Sequence, residues 1–145
     1  MADRTKFNVG ANRQVDDDQL VPDNMTVTGG LFMGAQQVEL VTGAKTLDEG
    51  DSGVIQRVTA TATVTLPATV VGYVYIIENG GADGTITITV APAAADKLMG
   101  NGFTSADNKA AVCTLGNKGD RITLHGDGVN GYMFADVVGT WTRAA

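Results

Sequence analysis

The residues able to run a reaction are few and badly spaced for it. His125 is the single histidine, Cys113 the single cysteine, and Ser52 and Ser105 are the serines. A hydroxyl or thiol nucleophile needs a base beside it, and neither serine sits in a nucleophile motif. His125 alternates with Thr123 and Arg121, while Leu124 and Ile122 point the other way, so it reads as a surface residue of a strand. One cysteine and one histidine cannot build a tetrahedral zinc site. Oxygen ligands are more plentiful: Asp48, Glu49 and Asp51 share one turn, and Asp127 and Asn130 another. Neither turn has the spacing of a twelve-residue calcium loop, and Asp and Asn in Gly-rich turns ordinarily bond their own backbone. No Lys-Ser/Thr pair or helix start follows the Gly-rich turns, so they are not phosphate cradles. The sequence therefore predicts no catalytic residue, no metal site and no cofactor; the protein is expected not to be an enzyme.

The elements that would carry any surface chemistry are strands. Residues 60–66 read Ala-Thr-Ala-Thr-Val-Thr-Leu and residues 85–90 read Thr-Ile-Thr-Ile-Thr-Val. A period of two sends one side of each run to a core and the other, bearing Thr61, Thr63, Thr65 and Thr85, Thr87, Thr89, elsewhere. If the two runs share a sheet, the threonines form hydroxyl ladders, either as solvated filler or as an uncharged face that packs on a copy of itself with little desolvation cost.

Further strands are expected at residues 54–58, 97–99, 109–115, 120–125 and 131–138, with a hairpin around Thr42 and Gly43 joining residues 34–41 to 45–47. Residues 72–78 are apolar on both sides and are expected to form a central strand covered on both sides. Strands recurring every 8 to 12 residues between Gly-rich turns, with no helical stripe, point to an all-β fold: a single β-sandwich, jelly-roll-like, spanning residues 31–145. Residues 1–30, rich in Asp and Asn and lacking any sustained period, read as an extended N-terminal arm. Within it Phe7, Val9, Leu20 and Val21 are candidate contact residues for a partner. Trp141 either closes the core or anchors such a contact.

At 145 residues the chain can bury roughly 70% of its unfolded surface without a staple. Cys113, inside a strand pattern, reads as a buried structural thiol. The formal charge of −6 and a pI near 4.5 repel phosphate backbones and anionic lipid, so no nucleic-acid or membrane partner is expected. Neither a signal peptide nor a membrane span is expected, and synthesis in the cytoplasm fits.

The order of motifs from Leu47 to Trp141 resembles a module of capsid decoration (cement) and head-fibre proteins of tailed bacteriophages. It runs through Leu47, Asp51-Ser52-Gly53-Val54, Val64-Thr65-Leu66-Pro67 and Gly72-Tyr73-Val74-Tyr75-Ile76, then residues 85–90 and Asp96-Lys97-Leu98-Met99-Gly100. Gly119-Asp120-Arg121-Ile122-Thr123-Leu124 follows, and Asp127-Gly128 leads through Tyr132 to Gly139-Thr140-Trp141. Similar sequences often carry tryptophan where this one has Gly131-Tyr132, and the arm before Gly30 lies outside the resemblance. The resemblance implies a β-rich subunit on the outer surface of the capsid in the virion, commonly a homotrimer, whose partner is the major capsid protein. A glycan-binding or host-adhesion module of a fibre or tail is the competing expectation. Its site would need exposed aromatics, for which Tyr73 with Tyr75 and Tyr132 with Phe134 are the available pairs.

Overall fold

The chain repeatedly changes sheets. In the computed structural model, which describes residues 36–103 and 108–145, β1 (Val38–Val41) lies in a first sheet and β2 (Lys45–Thr46) in a second. The chain returns to the first sheet at β3 (Ile55–Val58), crosses to β4 (Ala62–Thr65), returns at β5 (Val74–Asn79) and crosses again to β6 (Ile88–Ala91). β7 (Lys97–Met99), β9 (Arg121–Gly126) and β10 (Gly131–Val138) complete the first sheet; β8 (Ala111–Cys113) and β11 (Thr142–Arg143) complete the second. Among the described residues the orders are β1-β3-β5-β9-β10-β7 and β11-β8-β6-β4-β2. The arm, with Phe7, Val9, Leu20 and Val21, lies outside the described residues, as does Ser105.

The fold is all-β, and its pairing departs from a jelly roll. β1, β3 and β5 pair in parallel, as do β2, β4 and β6, whereas a jelly roll is built from antiparallel Greek keys. Parallel neighbours require a crossover, and here the crossover is a strand of the opposite sheet. The expected hairpin around Thr42 and Gly43 is thereby replaced by a crossing. A two-residue hairpin needs positive φ at its centre, and Gly43 does not adopt it. The β9–β10 turn does hold a positive angle within it, Gly128 at φ 74°, and it closes an antiparallel hairpin.

Alternation fills the space between the sheets. Tyr75 and Ile77 of β5, Ile122 and Leu124 of β9, Val64 of β4 and Ile88 and Val90 of β6 are all fully buried in one cluster. Each such side chain contributes roughly 1.5–3 kcal/mol. β5 is central, as expected, but its cover is one-sided: Val74 and Ile76 on its other side are only half-buried. Residues 49–51 form a single 3-10 turn with Asp48 as its cap.

Trp141 belongs to the core. It is 6% exposed, and its Nε1 donates to the Val138 carbonyl at 3.1 Å. Of its two sequence-level roles the structure places it in the first, which removes it from the surface contact residues. Trp141→Ala should cost about 3–5 kcal/mol in urea unfolding. Because Trp141 is the single tryptophan, the native emission should be blue-shifted and move red as the chain unfolds; a red-shifted native spectrum would contradict its burial.

Candidate functional site

The residues with possible chemistry are dispersed and engaged. His125 is exposed on the outer side of β9, with Val74 and Met133 as its cross-strand neighbours. Ser52 Oγ accepts from Val74 N at 3.1 Å. Cys113 is buried, and burial, followed by the Asp120 carboxylate 3.9 Å from its Sγ, pushes the thiol above its ordinary value. That is the direction of an inert thiol.

The acidic turns hold themselves together. Asp48 Oδ1 accepts from Gly50 N at 2.8 Å, and Asp51 Oδ2 accepts from Asp48 N at 2.9 Å, a reciprocal cap. Asp127 Oδ1 takes three backbone donors, Asn130 N at 2.7 Å, Val129 N at 2.8 Å and Gly131 N at 2.9 Å. Those bonds, from Gly131 and Val129 foremost, hold its carboxyl down to about 2. Among the described residues no three His, Cys, Asp or Glu side chains are grouped to hold a metal ion.

One cluster escaped the sequence reading. Lys45 on β2 donates to Glu39 on β1, to Asp51 Oδ1 at 2.8 Å and to Gln56 Oε1 on β3 at 3.0 Å. Burial works against its charge, but the bonds to Asp51 and Glu39 outweigh it and raise the ammonium above its ordinary value. The same contacts, together with the Asp48 amide, keep Asp51 low despite its own burial. Lys45 thus fastens the two sheets along one edge. Only the tertiary fold brings residues 39, 45, 51 and 56 together; the signal available in sequence was a lysine inside an otherwise uncharged stretch.

The outer sides of the two sheets differ in chemistry. On the second sheet β4 and β6 pair with Thr63 opposite Thr89, and the row continues through Val112 to Thr142. Thr65 stands opposite Thr46, and Thr87 N donates to Thr61 Oγ1 at 3.1 Å. The expected ladders therefore lie side by side and carry no charge, although Thr85 and Thr87 precede the strand itself.

On the first sheet the outward register runs Val38, Ile55, Ile76, Thr123, Asp136 and, in the next row, Leu40, Arg57, Glu78, Arg121, Val138. Leu40 is 64% exposed, and Val38, Met133 and Val138 are exposed as well. Arg57 pairs with Glu78 at 2.8 Å and Arg121 with Asp136 at 3.1 Å, each contributing under about 1 kcal/mol. This face thus mixes exposed aliphatic side chains with two surface ion pairs.

The aromatic side chains, by contrast, face the core. Tyr75 and Tyr132 are fully buried and meet edge-on at 5.8 Å; Tyr73 meets Tyr75 at 6.3 Å and Phe134 meets Phe103 at 4.8 Å. The two pairs thus share the inter-sheet side, with Tyr75 and Tyr132 inside the core and Tyr73 and Phe134 only partly buried against it. Their hydroxyls fasten loops: Tyr75 Oη donates to Asp48 O at 2.9 Å, Tyr132 Oη to Pro67 O at 3.0 Å, and Tyr73 Oη to Glu49 Oε2 at 3.1 Å. Among the described residues no helix is long and apolar enough to cross a membrane.

A carboxyl held lower in the folded chain than its ordinary 3.8 stabilises the fold above that pH, and the contribution is lost as pH falls through about 2. Urea midpoints measured from pH 5 to pH 2 should therefore drop less in Asp127→Asn than in the parent chain. Parallel curves would show that the turn does not depend on the Asp127 charge. Neither the protein-family models nor the curated proteins include a match to this chain.

Proposed function

We propose that the protein is a structural component of a bacteriophage virion: a decoration protein of the outer capsid surface, with a β-sandwich body, that stabilises the assembled head by bridging major capsid subunits. The observation that carries this reading is the pair of unlike outer faces. An uncharged threonine row on one sheet, and on the other an outer face where exposed Val38, Leu40, Met133 and Val138 lie among ion pairs, suit a body that touches different neighbours at once. The motif order from Leu47 to Trp141 supports it from the sequence side.

Binding that favours the assembled state over free subunits stabilises by mass action, and repetition over a shell multiplies modest contacts. The threonine face would meet a second copy in a homotrimer at little desolvation cost. Arm residues Phe7, Val9, Leu20 and Val21 would supply apolar anchors on a capsid neighbour.

The test uses full-length protein mixed with assembled heads of its phage. Co-sedimentation should saturate, light scattering of the free protein should give three times the 15.0 kDa chain mass, and a chain lacking residues 1–30 should keep its β circular dichroism but lose the heads. Thr63→Arg with Thr89→Arg should lower the free mass to that of one chain. Full-length protein that leaves the heads bare would refute the reading.

A further inference from the structure

We propose that the loop end beside the Asp48 turn is a docking site for a polypeptide segment that presents a lysine or arginine next to an aliphatic side chain. An open depression of about 650 Å³ lies there, walled by Asp48, Glu49, Pro67, Ala68, Val70 and Tyr73. Val71, next in the chain to the lining residue Val70, is 74% exposed, and Val129 on the β9–β10 turn is 81% exposed. The loops carrying these valines touch, since a Cβ placed on Gly128 would fall 2.5 Å from Val71 Cγ2.

Charge selects the occupant. One oxygen of Asp48 is held by Gly50 N and one of Glu49 by the Tyr73 hydroxyl. Among the described residues the second oxygen of Glu49 has no hydrogen bond, and neither carboxylate has a Lys or Arg within salt-bridge distance. The nearby Lys45 is committed to Glu39 and Asp51. A cation is therefore favoured at the carboxylates, and the valines call for an apolar neighbour to it. A lone metal ion would leave the valines bare, and a sugar would find a single ring in the wall, Tyr73, whose hydroxyl is already given to Glu49.

The surface is also preorganised, which lowers the ordering cost of binding. Tyr75 and Tyr132 fix the backbone at Asp48 and Pro67. Thr69 Oγ1 donates to Gly131 O at 2.6 Å and accepts from Gly128 N at 3.1 Å, joining the two valine-bearing loops.

The isotope-labelled full-length chain titrated with a capped peptide of alternating lysine and valine tests this directly, with amide shifts as the readout. Saturable shifts at Glu49, Gly50, Val70, Val71 and Val129 are expected, with none from a glutamate–valine peptide. Binding should weaken about three- to fivefold in Glu49→Gln, which keeps an acceptor for Tyr73, and about tenfold in Val71→Ser. Equal response to the acidic peptide, equal affinity for a lysine–serine peptide, shifts confined to other residues, or a response to maltohexaose with none to the peptide would each overturn it. Since no capsid enters the titration, its outcome stands apart from the co-sedimentation result.

Discussion

Two β-sheets share a core only if the strands of both deliver filling to the gap between them, a spacing of about 10 Å. In this chain the filling comes from alternate residues of short strands: Val64, Ile88 and Val90 from one side, Tyr75, Ile77, Ile122 and Leu124 from the other. Each inward residue leaves an outward one behind it. The character of the two outer faces is thus a by-product of core packing, with Thr63 and Thr89 behind the second sheet and Ile55 and Ile76 behind the first.

The same constraint shapes the loop end. Tyr75 and Tyr132 are wide enough to fill the gap, yet each carries a hydroxyl that must find a partner when buried. Those partners are the carbonyls of Asp48 and Pro67. Core packing and loop position are consequently coupled: a change in the buried rings moves the walls of the depression. Asp127 and Asp48 complete the fastening from the polar side by accepting backbone donors of their own turns.

Much of this was legible before any coordinates. The threonine alternation placed β4 and most of β6, and the pattern of Ile122 and Leu124 against Arg121 and His125 placed β9. The Asp-rich turns read as self-capping, and they are. Residues 34–47 misled, because two short apolar runs around a glycine look alike whether the chain reverses within a sheet or crosses to another. Residues 72–78 misled by a smaller margin: Val74 and Ile76, apolar like their inward neighbours, are left half-open on the outer side of the sheet.

Local periodicity is a property of neighbours along the chain, so the sequence alone determined that the fold is built of strands, which residues of most strands face inward, and that aspartates cap the turns. It carries no information on which strand lies beside which, since parallel and antiparallel ladders accept the same alternation. Strand order, the parallel coil of β1 to β6, the burial of Trp141, and the meeting of Lys45 with Glu39, Asp51 and Gln56 all depend on contacts between distant segments. Those were decided by the tertiary structure, where filling a shared core and satisfying its polar edges selects one winding.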